Sequence, residues 1–295
     1  VLFRSRYLNK VVIVTGGSKG IGAGIVEEFI KNGSKVVFCC RNTKEGEEFE
    51  AKMNALHIGE AAFKACDVSK EEDLKALVDF TVQKYGQIDC LVNNAGYHPN
   101  PNTIDNFTGK DMMDLFQLNV LSYFLMSKFC LPYLRKTQGS IVNISSLVGD
   151  MGQKNAVTYC TTKGAIHAMT RALAIDEGVN NVRVNSISPG GIWTPLFEDW
   201  VNASSDPKKT LQCEEDQQHI RRLGTVEECG KLALFLACDA TYTTGTDNII
   251  SGGSELGYGN KWVRPNSSVC STNNPLLMPP TQLELTTLSA VAASL

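Results

Sequence analysis

Short, almost wholly apolar runs recur along the chain without alternating with polar residues, and this feature excludes most folds. Seven stand out: "VVIVTG" (11–16), "KVVFCC" (35–40), "AAFKACDV" (61–68), "IDCLVNNAG" (88–96), "GSIVNISS" (139–146), "VRVNSISPGG" (182–191) and "TGTDNIISGG" (244–253). A strand with one wet face alternates apolar and polar side chains; a strand buried on both faces does not. Between the runs the period changes to that of a helix. Residues 21–33 place Ile21, Ile25 and Phe29, with Val26 and Ile30, on one stripe that stops at Gly33. Further helices are expected at 44–56, with Phe49, Met53 and Leu56 inward, and from a Ser69–Glu72 capping box onward. Three more are expected over about 110–135, 155–178 and 226–237, while the polar residues 198–220 read as a mobile lid.

Strand followed by helix, repeated, demands a parallel sheet with helices on both faces, and right-handed crossovers make it doubly wound. The expected fold class is therefore α/β, a seven-stranded parallel sheet of Rossmann type in a single domain over residues 10–259. Residues 1–9 lack an initiator Met and an apolar signal core and read as a ragged end; residues 260–295, rich in Pro, Ser, Thr and Asn, read as a mobile tail. A net charge of -3 argues against nucleic acid or a membrane surface as partner. No apolar run approaches the ~18 to 20 residues of a membrane span. The ten cysteines form no C-x-x-C pair and no zinc-ligand spacing. They read as reduced packing residues of a cytoplasmic protein, with no metal site.

Three local patterns carry chemistry. "TGGSKGIG" (15–22) joins the first strand to the first helix. Gly16, Gly20 and Gly22 let backbone amides approach a pyrophosphate, and the helix that follows points its positive end at the anion; a plain tight turn is the bland alternative. "YCTTK" (159–163) sets a phenol and an ammonium one helical turn apart. Alone, that is two unrelated residues on one helix face. In a crevice, an ammonium about 5 Å away at an effective dielectric near 20 is worth roughly 3 kcal/mol, or about two pK units. Lys163, helped by an oxidised nicotinamide ring, thereby makes Tyr159 acidic enough to exchange a proton with an alcohol or a carbonyl. Finally, Cys40 ends the second strand where an acid would accept the ribose hydroxyls of NAD. Arg41 follows it, and Lys19 lies in the glycine turn. Two cations and no acid argue for NADP(H), with NAD as the alternative.

"TGGSKGIG", "DV" (67–68), "NNAG" (93–96), Asn119, "ISS" (144–146), "YCTTK" and "SPGGIWTP" (188–195), in this order, resemble the classical short-chain dehydrogenases/reductases over about residues 9–259. The resemblance implies a nicotinamide-dependent oxidoreductase of secondary alcohols and ketones. It implies catalytic roles for Asn119, Ser146, Tyr159 and Lys163. Ser146 would hold the substrate oxygen, Asn119 complete a water relay, and Lys163 also hold the nicotinamide ribose. It implies a cofactor cradle of Gly16, Ser18, Lys19, Gly20, Ile21, Gly22, Cys40, Arg41, Asp67, Val68, Asn94, Ala95, Gly96, Tyr159, Lys163, Pro189, Gly190, Ile192 and Thr194, with Asp67 at the adenine edge. A nucleotide-sensing protein without turnover would not need to keep the four catalytic positions.

Within that family, "NNAGYHP", "NISSLVG", "GQKNAV", "SPGGIWTPLF" and "ELGYG" are similar to the 17β-hydroxysteroid dehydrogenases. This implies a small-molecule steroid substrate against an apolar wall of Trp193, Leu196 and Phe197, with His98, Ser146, Gln153, Tyr159 and Tyr258 also on the substrate side. The alternative substrate is a sugar of the L-fucose type, for whose hydroxyls His98 and Gln153 offer polar partners. The helices over 110–135 and 155–178 are apolar on more than one face, so a homodimer or homotetramer is expected, as in relatives.

Overall fold

The computed structural model describes residues 6–256. Its strands are β1 (Val11–Thr15), β2 (Lys35–Cys40), β3 (Glu60–Ala65), β4 (Cys90–Asn93), β5 (Ser140–Ile144), β6 (Arg183–Pro189) and β7 (Asp247–Ile250). All pair in parallel, in the order β3-β2-β1-β4-β5-β6-β7. The helices are α1 (Gly20–Lys31), α2 (Thr43–Asn54), α3 (Glu71–Tyr85), α4 (Gly109–Phe116), α5 (Ser122–Thr137), α6 (Val148–Met151), α7 (Val157–Gly178), α8 (Pro195–Asn202), α9 (Pro207–Gln217) and α10 (Val226–Cys238). The chain runs outward from β1 to β3, then returns to β4 on the other side of β1. At that reversal the helices that follow, α1 and α5, pack on opposite faces of the sheet, and sheets of this kind take ligands there, at the carboxyl ends of the strands.

The apolar runs have their physical cause in this arrangement. Every residue of β1, β4 and β5 is buried, because helices cover both sides of the sheet. Successive residues of β1 serve opposite faces. Val12 and Val14 join Ile25, Phe29 and Leu234 of α1 and α10, whereas Ile13 joins Leu74, Met126 and Leu134 of α3 and α5. Leu74, Leu77, Val78 and Thr81 all face inward from α3, as their spacing requires.

Several local expectations are corrected. Helix α2 stops at Asn54, so Met53 is buried but Leu56 lies beyond the helix and is exposed. No Ser69 capping box forms, because the Ser69 N–H and hydroxyl both donate to Asp67 Oδ1 (3.1 and 2.8 Å) and α3 begins after Lys70. The helix expected over 110–135 is α4 and α5 joined through a π turn at Gln117–Leu121. Residues 198–220 are largely helical, in α8 and α9. Tyr7, set aside with the ragged end, is buried with its ring 5.6 Å from that of Phe29. Tyr258 and the stretch 260–295 lie outside the described residues. No helix among the described residues is long and apolar enough to cross a membrane.

Candidate active site

The glycine turn is built by close backbone approach. Gly16 (φ 64°) and Gly20 (φ 56°) occupy the left-handed region that favours glycine. A Cβ on Gly22 would lie 2.1 Å from the Gly16 carbonyl oxygen and 2.5 Å from Asn94 Nδ2. Asn94 clamps the turn: its amide donates to the carbonyls of Thr15 (2.9 Å) and Gly16 (3.0 Å). In return, the Thr15 hydroxyl accepts from the N–H groups of Asn94 and Ala95 (3.0 and 3.1 Å). From β6, Pro189 leads into Gly190, where a Cβ would lie 2.9 Å from Ser251. Buried Ile192 follows, and Thr194 caps α8 by accepting from Phe197 N–H (3.2 Å). A Cβ on Gly20 would lie 3.7 Å from the Thr194 side chain, so the loop after β6 reaches the glycine turn. The turn, the β4 loop and the β6 loop therefore form one cradle of backbone N–H groups, Gly residues and the start of α1. Those features fit a dinucleotide pyrophosphate.

Four side chains meet beside the cradle. Tyr159 lies in the first turn of α7, and Ser146, just past β5, is near enough to favour its ionised form. Ser145 is withdrawn from the crevice, since its hydroxyl donates to the Lys163 carbonyl (2.9 Å). Lys163 is buried; its Nζ donates to the Ile144 carbonyl (2.9 Å) and stands 5.6 Å from the centre of the Tyr159 ring. Asn119 occupies the π turn, a device that re-aims a side chain within a helix. Its Oδ1 accepts from Tyr97 N–H (2.9 Å), and its Nδ2 donates to the Tyr97 carbonyl (3.0 Å) and Thr162 Oγ1 (3.1 Å). A Cβ on Gly96 would sit 3.3 Å from Asn119 Oδ1 and 3.7 Å from Lys163 Nζ, so Gly96 joins this group.

Electrostatics here depart from the expectation. In this structure burial pushes the Tyr159 phenol up to about 12, against the pull of the Ser146 side chain, and pushes Lys163 down to about 8. Both shifts share one origin: a low-dielectric site disfavours the charged form of each group. Lys163 still carries its proton at neutral pH, yet burial outweighs any lowering of the Tyr159 phenol.

On the substrate side, the His98 ring lies against Tyr159, with 4.1 Å between ring centres. Its Nδ1 donates to the Pro99 carbonyl (2.6 Å) and its Nε2 is 3.1 Å from Gln153 Oε1. Trp193, Phe197 and Trp200 form a ladder with centres 6.1 and 5.4 Å apart. Trp200 escaped the sequence reading, although its spacing of three and seven residues from Phe197 and Trp193 marks one helical face.

Comparison with known proteins decides the family. A family model described as Enoyl-(Acyl carrier protein) reductase matches residues 16–255. L-fucose dehydrogenase of Bos taurus is 46% identical over 257 residues, covering 87% of this chain and 93% of that protein. The chain belongs to the short-chain dehydrogenase/reductase family. Among solved structures, L-sorbose reductase from Gluconobacter frateurii, complexed with NADPH and L-sorbose, is similar at a TM-score of 0.82 and 27% identity, covering 86% of this chain and 100% of that one. Aldohexose dehydrogenase of Thermoplasma acidophilum is similar at 0.78 and 31%, covering 88% and 99%. As a member of this family the chain is an oxidoreductase acting on alcohol groups. The steroid expectation is overturned, because the relatives at 46% identity are L-fucose dehydrogenases. Physically, the polar His98–Gln153 pair lies on the tyrosine, while Trp193 and Leu196 are exposed.

At the far end of this dehydrogenase's crevice, Cys40 Sγ donates to the Asn42 carbonyl (3.1 Å), and Arg41 and Lys19 are exposed. Val68 is buried. Burial raises the Asp67 carboxyl, but Ser69 hydrogen bonds and the nearby Arg41 charge outweigh it and hold that carboxyl below its ordinary range. Two further residues carried no signal in the sequence. Glu45 accepts a hydrogen bond from Ser18 of the glycine turn. His167, one turn beyond Lys163, is buried with Nδ1 3.1 Å from Asp150 Oδ1 and Nε2 2.9 Å from Ser188 Oγ. Asp150, His167 and Asp247 can each offer a ligand atom within 4.8 Å of the others. The imidazole, however, turns one nitrogen to Asp150 and the other toward Asp247 (3.6 Å), which suits a hydrogen-bonded bridge between α7, α6 and β7.

Proposed function

We propose that this chain oxidises a hydroxyl of a small sugar of the L-fucose type, with NADP(H) as the preferred cofactor and NAD(H) as the alternative. The observation that carries the reading is the Tyr159 ring packed 4.1 Å from that of His98, which pairs with Gln153, in a chain similar to L-fucose dehydrogenases and to an L-sorbose reductase. Ser146 steadies the sugar oxygen, and Tyr159 takes its proton. NADP+ supplies the hydride acceptor when bound, along with a positive ring that offsets the burial of the phenol. Lys163 holds the ribose and shares the proton load, and Asn119 orders the Tyr97 backbone beside it. Lys19 and Arg41 are the cations available to a 2′-phosphate.

Exposed Met113, Phe124, Ile175 and Val179 on and just past α4, α5 and α7 support a homodimer or homotetramer. The cytoplasmic setting read from the sequence stays with this proposal.

The test is purified full-length chain with L-fucose or estradiol and either cofactor, followed at the absorbance of reduced nicotinamide. Turnover of L-fucose and none of estradiol is expected. Tyr159→Phe should lower kcat by about 10³-fold or more while NADP+ binding holds. A Phe variant that keeps wild-type turnover defeats the assignment.

A further inference from the structure

The cofactor preference above rests on the absence of an acid at the end of β2. The structure supplies one from elsewhere. Glu45, in the first turn of α2, is half-buried and accepts a hydrogen bond from the Ser18 hydroxyl across the crevice, 27 residues back in the chain. The same corner holds Cys40: burial raises its thiol, the nearby Ser18 hydroxyl opposes the rise, and the Glu45 carboxylate adds to it. Ser18 thus ties the glycine turn to the carboxylate from α2, beside the thiol at the strand end. Two features hold Glu45 there. Asn42 caps α2 by accepting from the Glu45 N–H (3.2 Å), and the positive end of the helix favours a carboxylate in its first turn.

We propose that Glu45 is a cofactor-selecting residue of this chain, tethered by Ser18 so that its carboxylate replaces the acid missing from the end of β2. A ribose 2′-hydroxyl can donate to it as Ser18 does now. A 2′-phosphate meets like charge at the positive helix end it would otherwise use, against the attraction of Lys19 and Arg41. The two influences oppose each other, so the enzyme accepts both NAD(H) and NADP(H), and Glu45 holds down the preference for the latter. This inference rests on the proposed nicotinamide-dependent activity.

Calorimetric titration of the full chain with NADP+, NAD+, adenosine 2′,5′-bisphosphate and 5′-AMP tests it without turnover. Glu45→Gln keeps the size and an acceptor for Ser18, so the fold is retained. It should tighten NADP+ and the bisphosphate about tenfold and leave NAD+ and AMP unchanged or weaker. Glu45→Asp keeps the charge and should leave the NADP+/NAD+ ratio within about threefold of wild type. If wild type binds both dinucleotides and Glu45→Gln leaves their ratio within twofold, the inference fails while the enzyme reading stands. Should Asp shift the ratio as far as Gln does, the charge argument fails. A wild-type chain that binds neither dinucleotide overturns both.

Discussion

The two ends of the crevice are held by different kinds of constraint. At the glycine turn, backbone meets backbone: a Cβ on Gly22 would be 2.1 Å from a carbonyl oxygen, and Asn94 pins the same turn through two carbonyls. At the substrate end, half-exposed side chains do the shaping. Trp193, Leu196 and Trp200 are exposed, and α9 buries none of its residues. The first arrangement dictates residue type, since nothing but hydrogen fits. The second leaves size and polarity open, so substrate choice can change there without disturbing the cradle. Between them sits the Tyr159–Lys163 pair, where burial works against both ionised forms.

Ranked by expected effect on folding free energy, Gly22→Ala comes first. The opposing carbonyl cannot move without breaking the Asn94 clamp, so a loss of about 3 kcal/mol or more is expected in urea unfolding. NADP+ affinity should fall about a hundredfold with it. Gly109→Ala is the control, because a Cβ there meets nothing within 4 Å. If the two alanines behave alike, the contrast between the ends collapses.

Lys163→Met is next, and its sign is opposite. The amine falls from its ordinary 10.5 to about 8 on burial, which at neutral pH costs about 3 kcal/mol of stability. Below pH 8 both folded and unfolded chains carry the proton and the full cost is present. Between about 8 and 10.5 the unfolded state holds more protons, so wild-type stability rises with pH across that window. Tyr159, raised from 10.0 to about 12, acts the other way: stability falls from pH 10 to 12 as the unfolded phenol ionises first. Met should therefore stabilise the protein by roughly 2 kcal/mol at pH 7 and erase the rise above pH 8, while cutting turnover by about a hundredfold or more. A methionine variant less stable than wild type at pH 7 refutes the burial argument.

What could be read from the sequence follows the same division. Strands buried on both faces and glycines forced by close approach leave one-dimensional signatures, so the seven-stranded sheet and the positions of Gly16, Gly20 and Gly22 were legible. The placing of Ser146 and Tyr159 followed from strand ends and helix starts. Interactions across the chain leave no such trace. Glu45 lies 27 residues from Ser18, and nothing local in either segment records their contact. Asn119 was legible as a residue but not in its π turn, because helical spacing alone hides an inserted residue. The acidity of Tyr159 was misjudged for a related reason. Charge spacing can be counted along a helix, whereas the burial of the phenol needs the fold.

The smallest effect should come from Trp200. Its ring stacks on Phe197 at 5.4 Å yet is 44% exposed, so nearly half of its area stays in water after folding. Trp200→Ala is expected to change stability by no more than about 1 kcal/mol and to raise KM for L-fucose two- to threefold with kcat held, in steady-state kinetics. That pattern marks binding shared equally by ground and transition states, which a loosely held wall can offer. A tenfold loss in kcat would mean the ladder positions the reacting sugar as tightly as the glycines position the cofactor. The substrate end would then be as constrained as the cradle, and substrate choice could not vary there independently.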